Sequence, residues 1–567
     1  MATLAALSTP AVRGAGPLAR PTPTAYPRPR TLMRIRFLIF ASLITAVPLA
    51  AQHGEHGADP IDAVSGEVPL RTNLGIHSRA VSTGSSLAQR YFDQGMRLTY
   101  GFGHEEAARS FREAVRLDPR CAMCQWGLAW SLGPYINGPQ RDSTSLSEAY
   151  VAIQAARRLR SGAGDVERAL IDAMAVRYAR VPREAQLSRL DSAYARAMHE
   201  VVRRHPHDLD AATLYGESLM VLRPWNYWTP DGESQPGTLQ ILAVLESVLA
   251  RDIRHPGSCH LYVHAVEASP DPGRAAACAE LLEDAIPGAS HVPHMPAHVF
   301  MRIGRYGDAV RGNQKARMAD LEARDGLAVA IYPTHNLHML LFAASYDGQS
   351  AVAIGAANDL AREAPQSGFF RMLVLARFGR WSELLEMEEI PDQSYARGLW
   401  HYGRGLAHLR TGEADSARAH RDSLSVQIDS TPETATYRGH LHRHLLGMAR
   451  GILAGEIAAA AGEYDEAAIV LRAAVAIEDS LRYDEPEPWI VPVRQVLGSI
   501  LLQSGRAPEA EQVFRAELRV HPENGWSLSG LERALRAQGR EGEASEVGRR
   551  FERSWRRADV RIRGARY

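Results

Sequence analysis

From about residue 85 to the end of the chain, apolar residues recur at helical spacing on short, alanine-rich segments. Short turns that contain glycine or proline separate these segments. No stretch alternates apolar and polar residues at period two over the length of a strand. The pattern predicts an all-α protein built from many amphipathic helices.

One spacing recurs along these helices. Two alanines that flank a phenylalanine, followed by a closing proline, fit Ala107, Phe111, Ala114 and Pro119. Further copies contain Gly498, Gly505, Ala510, Phe514 and Pro522; Gly455, Gly462, Ala467, Leu471 and Ala474; and Gly304, Ala309 and Ala316. The pattern resembles the tetratricopeptide repeat (TPR), a 34-residue helix–turn–helix unit. The resemblance implies an α-solenoid, a right-handed superhelix of roughly ten degenerate repeats with a concave groove.

Three stretches are also similar to exported bacterial proteins that are known as TPR proteins. They are residues 111–124, residues 294–298 and residues 488–526. This resemblance implies a scaffold fold and no defined reaction.

The beginning of the chain has the pattern of a targeting signal. Met33 opens a basic segment, residues 37–47 are apolar, and small residues close the run at Ala51, as in a secretory signal peptide. We expect residues 1–32 to be a disordered stretch before the true start, residues 33–51 to be the signal peptide and residues 52–84 to be a flexible linker. The mature chain is then periplasmic or secreted and has no membrane span. We expect its repeats in an N-terminal block (85–205), a central block (206–370) and a C-terminal block (371–560).

Charge and cysteine content narrow the class of protein. The 65 Lys and Arg residues balance 65 Asp and Glu residues, which argues against nucleic-acid binding because that needs a basic face. Four cysteines are too few for a disulfide-stapled scaffold. In an exported protein, Cys121 and Cys124 favour a local disulfide over a pair of thiols, whereas we expect Cys259 to be a core residue.

The histidines of the central block fall on one face of the predicted helices. The closing prolines Pro287 and Pro365 set the register of three repeat units without reference to any histidine. Seven of the twelve groove-facing positions are then histidine, against about 0.5 expected from 22 histidines in 567 residues. They are His260, His264, His291, His294, His298, His335 and His338. Glu267 occupies another groove position, and Pro206 places Glu217 in line with His264 and His298.

These spacings predict a metal site. Histidines three or four residues apart on a helix can reach one ion together. Nitrogen and carboxylate ligands suit a transition metal such as Zn, Fe or Cu better than Ca or Mg. We therefore predict that the seven histidines, Glu217 and Glu267 are metal ligands. Either glutamate is a candidate general base toward metal-bound water.

Two functions stay open at this point. One is a metal-dependent enzyme or metal carrier; the other is a scaffold that binds a peptide or protein partner in the groove without metal or catalysis. A centre walled by loops would favour the first, and a groove open along its length would favour the second. The loop from Trp225 to Gly237 is either an aromatic lid over the groove or an insertion anchored by its own aromatic residues. We expect His440, His442 and His444 to lie on an exposed helix.

Overall fold

A computed structural model describes residues 68–567 of the chain. The expectations for the early start, the signal peptide and the first part of the linker lie outside these residues. The regular secondary structure of the described part is helical, as predicted, except for one hairpin of two short strands, β1 (Thr436–Tyr437) and β2 (His440–Leu441). Three short 3₁₀ segments also occur, Arg160–Gly162, Pro272–Ala275 and Pro365–Ser367. The all-α prediction is confirmed.

The helices follow one another with short connections throughout. Those of the N-terminal block are α1 (Ser86–Tyr100), α2 (His104–Leu117), α3 (Ala122–Ser131), α4 (Ser143–Leu159), α5 (Asp165–Ala175) and α6 (Glu184–Arg204). Those of the central block are α7 (Leu209–Val221), α8 (Thr238–Leu249), α9 (Pro256–Val266), α10 (Ala276–Ala285), α11 (His291–His294), α12 (Pro296–Arg302), α13 (Tyr306–Ala323), α14 (Pro333–Asp347) and α15 (Ser350–Glu363). Those of the C-terminal block are α16 (Phe369–Arg377), α17 (Trp381–Glu386), α18 (Ser394–Arg410), α19 (Ala414–Asp429), α20 (His442–Ala460), α21 (Tyr464–Asp479), α22 (Val493–Gln503), α23 (Ala507–Val520), α24 (Gly525–Ala537) and α25 (Glu541–Ser554).

In two places along the array, small residues let neighbouring helices close on a buried aromatic ring. A Cβ atom added to Gly95 on α1 would lie 2.8 Å from the Phe111 ring, and one on Gly127 of α3 would lie 2.3 Å from it. Phe514 of α23 is held in the same way between Gly498 and Gly530, at 2.7 and 2.4 Å. Because each helix packs mainly against its neighbours in sequence, the architecture is an α-solenoid of TPR-like helix pairs.

Residues 68–84 correct the expected linker. They pack on the repeats: the Tyr91 hydroxyl donates to the Val68 carbonyl at 2.7 Å, and Leu74 is 1% exposed. Arg79 forms an ion pair with Asp208 at 2.7 Å. The acidic start of α7 therefore binds this segment, which sequence reasoning treated as free chain.

The four cysteines form two disulfides. Cys121 bonds to Cys124, as favoured by the sequence, with Cα atoms 5.3 Å apart. Cys259 is buried as expected, but it also bonds to Cys278, which ties α9 to α10. No helix among the described residues has the length and apolar character needed to cross a membrane.

Candidate metal centre

Four helices of the central block carry the clustered histidines. His260 and His264 lie on α9, His291 and His294 on α11, His298 on α12 and His335 near the start of α14. Although α11 ends at His294, Met295 keeps helical angles (φ −52°, ψ −35°). The helical hydrogen bonding is interrupted there because Pro296 has no amide hydrogen. The chain therefore runs on in helical conformation, and His294 and His298 stay on one face.

The six imidazoles form two groups of three. In the first triad (His260, His264 and His291), one ring nitrogen of each lies within 4.8 Å of the others. In the second triad (His294, His298 and His335), one nitrogen of each meets the same limit. The His260 and His291 Nε2 atoms are 3.2 Å apart, and those of His294 and His298 are 2.7 Å apart.

Oxygen atoms that can only accept hydrogen bonds hold four of these rings by Nδ1. The His260 Nδ1 donates to the Tyr100 carbonyl at 2.5 Å, and the His294 Nδ1 donates to the Asn313 side-chain oxygen at 2.7 Å. The Nδ1 atoms of His264 and His298 donate to Glu267. When a neutral imidazole carries its proton on Nδ1, its Nε2 lone pair is free to bind a metal.

Glu267 lies between the two triads. It caps the end of α9, and its side chain is 1% exposed. Its Oε1 accepts from His264 at 2.8 Å, and its Oε2 accepts from His298 at 2.6 Å. The His264 Nε2 is buried and has no hydrogen-bond partner among the described residues. A metal ion bound to this nitrogen would supply the partner that a buried polar atom normally has.

Glu485 is a site residue that sequence reasoning missed. It lies between α21 and α22, yet its carboxylate also contacts the His298 Nδ1. Arg438 positions this segment by donating to the Glu485 carbonyl at 2.7 Å and to Asp484 at 2.8 Å. Helical register identifies only residues on helices, so it does not mark any residue of the acidic, proline-containing stretch at 484–488.

Glu485 also creates a further arrangement of ligand atoms. His264, Glu267, His298 and Glu485 place one donor each within 4.8 Å of one another. The Tyr483 hydroxyl donates to the Glu267 Oε2 at 3.3 Å. This group overlaps both triads and is an alternative place for an ion.

Burial and charge give the histidines different protonation states. Burial lowers the pKa of His264 to about 3, and the neighbouring His298 adds to the effect. Burial likewise lowers the pKa values of His260, His291 and His294. Burial opposes the charged form of His298 too, but Glu485 and Glu267 outweigh it and raise that pKa to about 10. Without a metal ion this ring therefore carries a proton on Nε2 as well, which an ion would have to displace. Burial, with Glu267 adding to it, raises the pKa of Glu485 to about 8.

Aromatic side chains cover the first triad, and both triads are buried. None of the six triad imidazoles is more than 1% exposed. The Phe102 ring centroid lies 4.2 Å from that of His260, and the Trp225 ring lies 4.9 Å from that of His264. The Trp225 indole donates to the Ile136 carbonyl at 3.0 Å. This stretch of the repeat array is therefore closed, and the loop that begins at Trp225 both covers the first triad and is anchored.

Two predicted ligands lie apart from these groups. Glu217 belongs to none of the groups of converging donors found among residues 68–567, and it accepts a hydrogen bond from the Trp130 indole at 3.0 Å. His338 is absent from those groups as well, and its ring lies 4.2 Å from that of Phe370. The expected exposed helix is wrong for His440, which lies in β2, is 5% exposed and approaches Asp484 at 3.5 Å.

A smaller polar group lies beside the first triad. The Asp210 Oδ1 contacts the Nε2 atoms of His77 and His255, at 3.0 and 3.1 Å. It also accepts from the Tyr100 hydroxyl at 2.9 Å, and Arg79 donates to the other oxygen at 3.1 Å. Hydrogen bonds already engage both oxygens of this carboxylate.

Comparison with known proteins does not place the chain in a family. No protein-family model and no curated protein matches the chain. The human IFIT1 dimer with m7Gppp-AAAA aligns at 15% identity over 84% of this chain and 91% of that chain, with a TM-score of 0.28. Yeast Tom70 aligns at 14% identity over 83% and 92%, with a TM-score of 0.26. The APC/C hetero-tetramer Cut9-Hcn1 aligns at 12% identity over 82% and 76%, with a TM-score of 0.29. None of these backbones superposes closely on this one, so the repeat architecture rests on the helix pairs described above.

Proposed function

We propose that the central helices hold a two-ion transition-metal centre, with one ion in each triad. The observation that carries this proposal is the common orientation of four imidazoles. His260, His264, His294 and His298 are each held by an oxygen at Nδ1, which directs Nε2 toward the other members of the triad. Metal-binding histidines characteristically donate their second ring N–H to a carboxylate or carbonyl in this way.

The donor set indicates the class of metal. Three imidazoles per ion suit Zn, Cu or Fe, whereas Ca and Mg prefer oxygen ligands. Three protein ligands also leave a coordination position for water or a small reactant. In this proposal Glu267 orients ligands, because both of its oxygens accept from imidazoles.

The closed surroundings favour a metal centre over peptide binding at this place. Histidines that are at most 1% exposed cannot line a surface that grips an extended peptide. Because the rings are closed to solvent, a reactant larger than water could reach the ions only if the cover moved. A metal carrier and a small-molecule metalloenzyme both fit this geometry.

Metal content tests the proposal. The untagged wild-type protein, expressed with its own leader, is expected to hold two ions per chain by mass spectrometry. His294→Ala/His298→Ala is expected to lose the second ion while its helicity persists. The matched control, His205→Ala/His207→Ala, changes two histidines outside the triads and is expected to keep both ions. A content below about 0.1 ion per chain that added Zn, Fe or Cu does not raise would refute the centre.

A separate cavity supports partner binding as a second function. It has a volume of about 870 Å³ beside α16, α17 and α18 and contains the apolar side chains Phe369, Met372 and Trp400. Five carboxylates and one guanidinium line it, namely Glu383, Glu386, Glu388, Glu389, Asp392 and Arg371. We propose that a basic peptide segment with an apolar anchor binds here.

A labelled peptide rich in lysine and leucine tests this second function. Fluorescence anisotropy is expected to show binding that Glu388→Lys/Glu389→Lys abolishes and that Glu541→Lys/Glu543→Lys, on α25, leaves unchanged. Equal affinity for all three proteins would refute the cavity as the binding place.

We further propose that the protein is exported. The disulfides Cys121–Cys124 and Cys259–Cys278 support an oxidising compartment, where such bonds persist. N-terminal sequencing of the protein purified from its native cells is expected to begin near Gln52. A mature protein that retains residues 33–51 would contradict cleavage of a signal peptide.

A further inference from the structure

We infer that Glu267 couples the two triads, so that an ion in one raises the affinity of the other for its own ion. This inference rests on the proposed two-ion centre. Its basis is one buried carboxylate whose two oxygens accept from imidazoles of different triads, Oε1 from His264 at 2.8 Å and Oε2 from His298 at 2.6 Å.

The other oxygen atoms that hold these rings each contact one triad. The Tyr100 carbonyl accepts from His260 of the first triad. The Asn313 side chain and Glu485 accept from the second triad, at His294 and His298. Glu267 differs from these three groups because its hydrogen bonds connect α9, which carries His264, with α12, which carries His298.

The rigid shape of a carboxylate transmits orientation between the triads. An ion in the first triad fixes the His264 ring, which fixes Oε1 through the Nδ1–H hydrogen bond. Because a carboxylate is planar, Oε2 is then held where the His298 Nδ1–H requires it. The loss of conformational freedom at Glu267 is incurred once, with the first ion, and the second ion binds a site that is already ordered.

The charge of Glu267 acts in the same direction. Two dications held close together in a dry interior repel each other. A negative carboxylate that bonds to a ligand of each ion offsets part of this repulsion. Without that charge, the two triads would bind ions independently or with mutual interference.

Native mass spectrometry of chelator-stripped protein, titrated with Zn²⁺ alone, measures the coupling. At half saturation, two identical independent sites leave about half of the molecules with one ion, and unequal independent sites leave more. Coupling of about tenfold, within the range usual for linked sites, lowers the one-ion fraction to about a quarter. We expect the wild type to show this deficit.

Glu267→Gln tests the residue itself. Glutamine offers one accepting oxygen and no charge, so it can hold only one of the two rings in this way. The one-ion fraction is expected to rise to half or more, with unchanged helicity. Glu283→Gln is the matched control, because Glu283 is also buried (7% exposed) but binds Arg311 on α13. It is expected to keep the deficit.

Each outcome decides between the two proposals. If wild-type protein binds no Zn²⁺, the metal centre itself fails. If it binds two ions and Glu267→Gln leaves a one-ion fraction of half or more unchanged, the centre stands and the coupling is refuted. If Glu267→Gln keeps the deficit, the coupling exists but Glu267 is not its source, and the inference is overturned. A deficit of the one-ion species in the wild type shows the coupling even if Glu267→Gln does not fold.

Discussion

Each of the two triads offers three imidazoles, but the two triads depend on different parts of the chain. In the first triad, a main-chain carbonyl at the end of α1 holds His260. In the second triad, the Asn313 side chain holds His294, and Glu485, 187 residues further along the chain, contacts His298. The first triad is therefore assembled by the N-terminal and central repeats, whereas the second is assembled by the central and C-terminal repeats.

This difference shows how a repeat array can build a site that neighbouring helices alone do not complete. Stacking of adjacent units brings α9, α11, α12 and α14 together. The segment that carries Glu485 reaches the centre through Arg438, whose guanidinium bonds to both Asp484 and the Glu485 carbonyl. We therefore expect changes in the C-terminal block to weaken the second triad directly and to reach the first triad only through the coupling between them.

The largest effect is expected from Arg438→Met. Arg438 and Asp484 are buried, with side chains 5% and 1% exposed, and removal of one partner leaves a charge without compensation. The loss of stability in chemical denaturation is expected to be about 3–5 kcal/mol, together with loss of the second ion. Arg482→Met changes an exposed neighbour and serves as the control. A variant with both ions and wild-type stability would contradict the role given to Arg438.

Glu485→Gln is expected to lower the metal affinity of the second triad without the loss of folding stability expected for Arg438→Met. Loss of a partner that orients a metal-binding histidine typically lowers metal affinity about 10–100-fold. Competition with a coloured chelator is expected to show this loss for one ion, while the other loses only what the coupling between the triads supplies, at most about tenfold. Glu487→Gln, two residues away and bonded to His521, is the control. An equal loss at both ions would show that the triads do not differ in this respect.

Asn313→Ala is expected to give the smallest effect. Asn313 is neutral, and its oxygen holds only His294. We expect about a tenfold loss of affinity at one ion, measured by the same competition. Gln314→Ala, on the same helix but exposed, is expected to change nothing. If Asn313→Ala lowered the metal affinity more than Glu485→Gln does, the ranking of these two contacts by their effect on metal affinity would be wrong.

The sequence predicted most of this centre because helical register determines which side chains share a face. Closing prolines fixed the register, and six of the seven predicted histidines converge in the two triads. His338 does not join them: it lies one turn further along α14 than His335, where α16 brings Phe370 against its ring.

The remaining differences arise from contacts between distant parts of the chain. Glu217 has the predicted position on α7, but the Trp130 indole of α3 engages its carboxylate. Glu485 and Arg438 lie outside helices, so no periodic pattern marks them. Residues 68–84 have no helical pattern either, and they are held by contacts with distant residues, such as the ion pair of Arg79 with Asp208.

Anomalous diffraction from crystals of the metal-loaded protein, measured at the absorption edge of its own metal, tests the two-ion centre most directly. Two peaks are expected, one bounded by the nitrogens of His260, His264 and His291, and the other by those of His294, His298 and His335. One peak within the group of His264, Glu267, His298 and Glu485, or no peak at any of these residues, would contradict the two-ion centre.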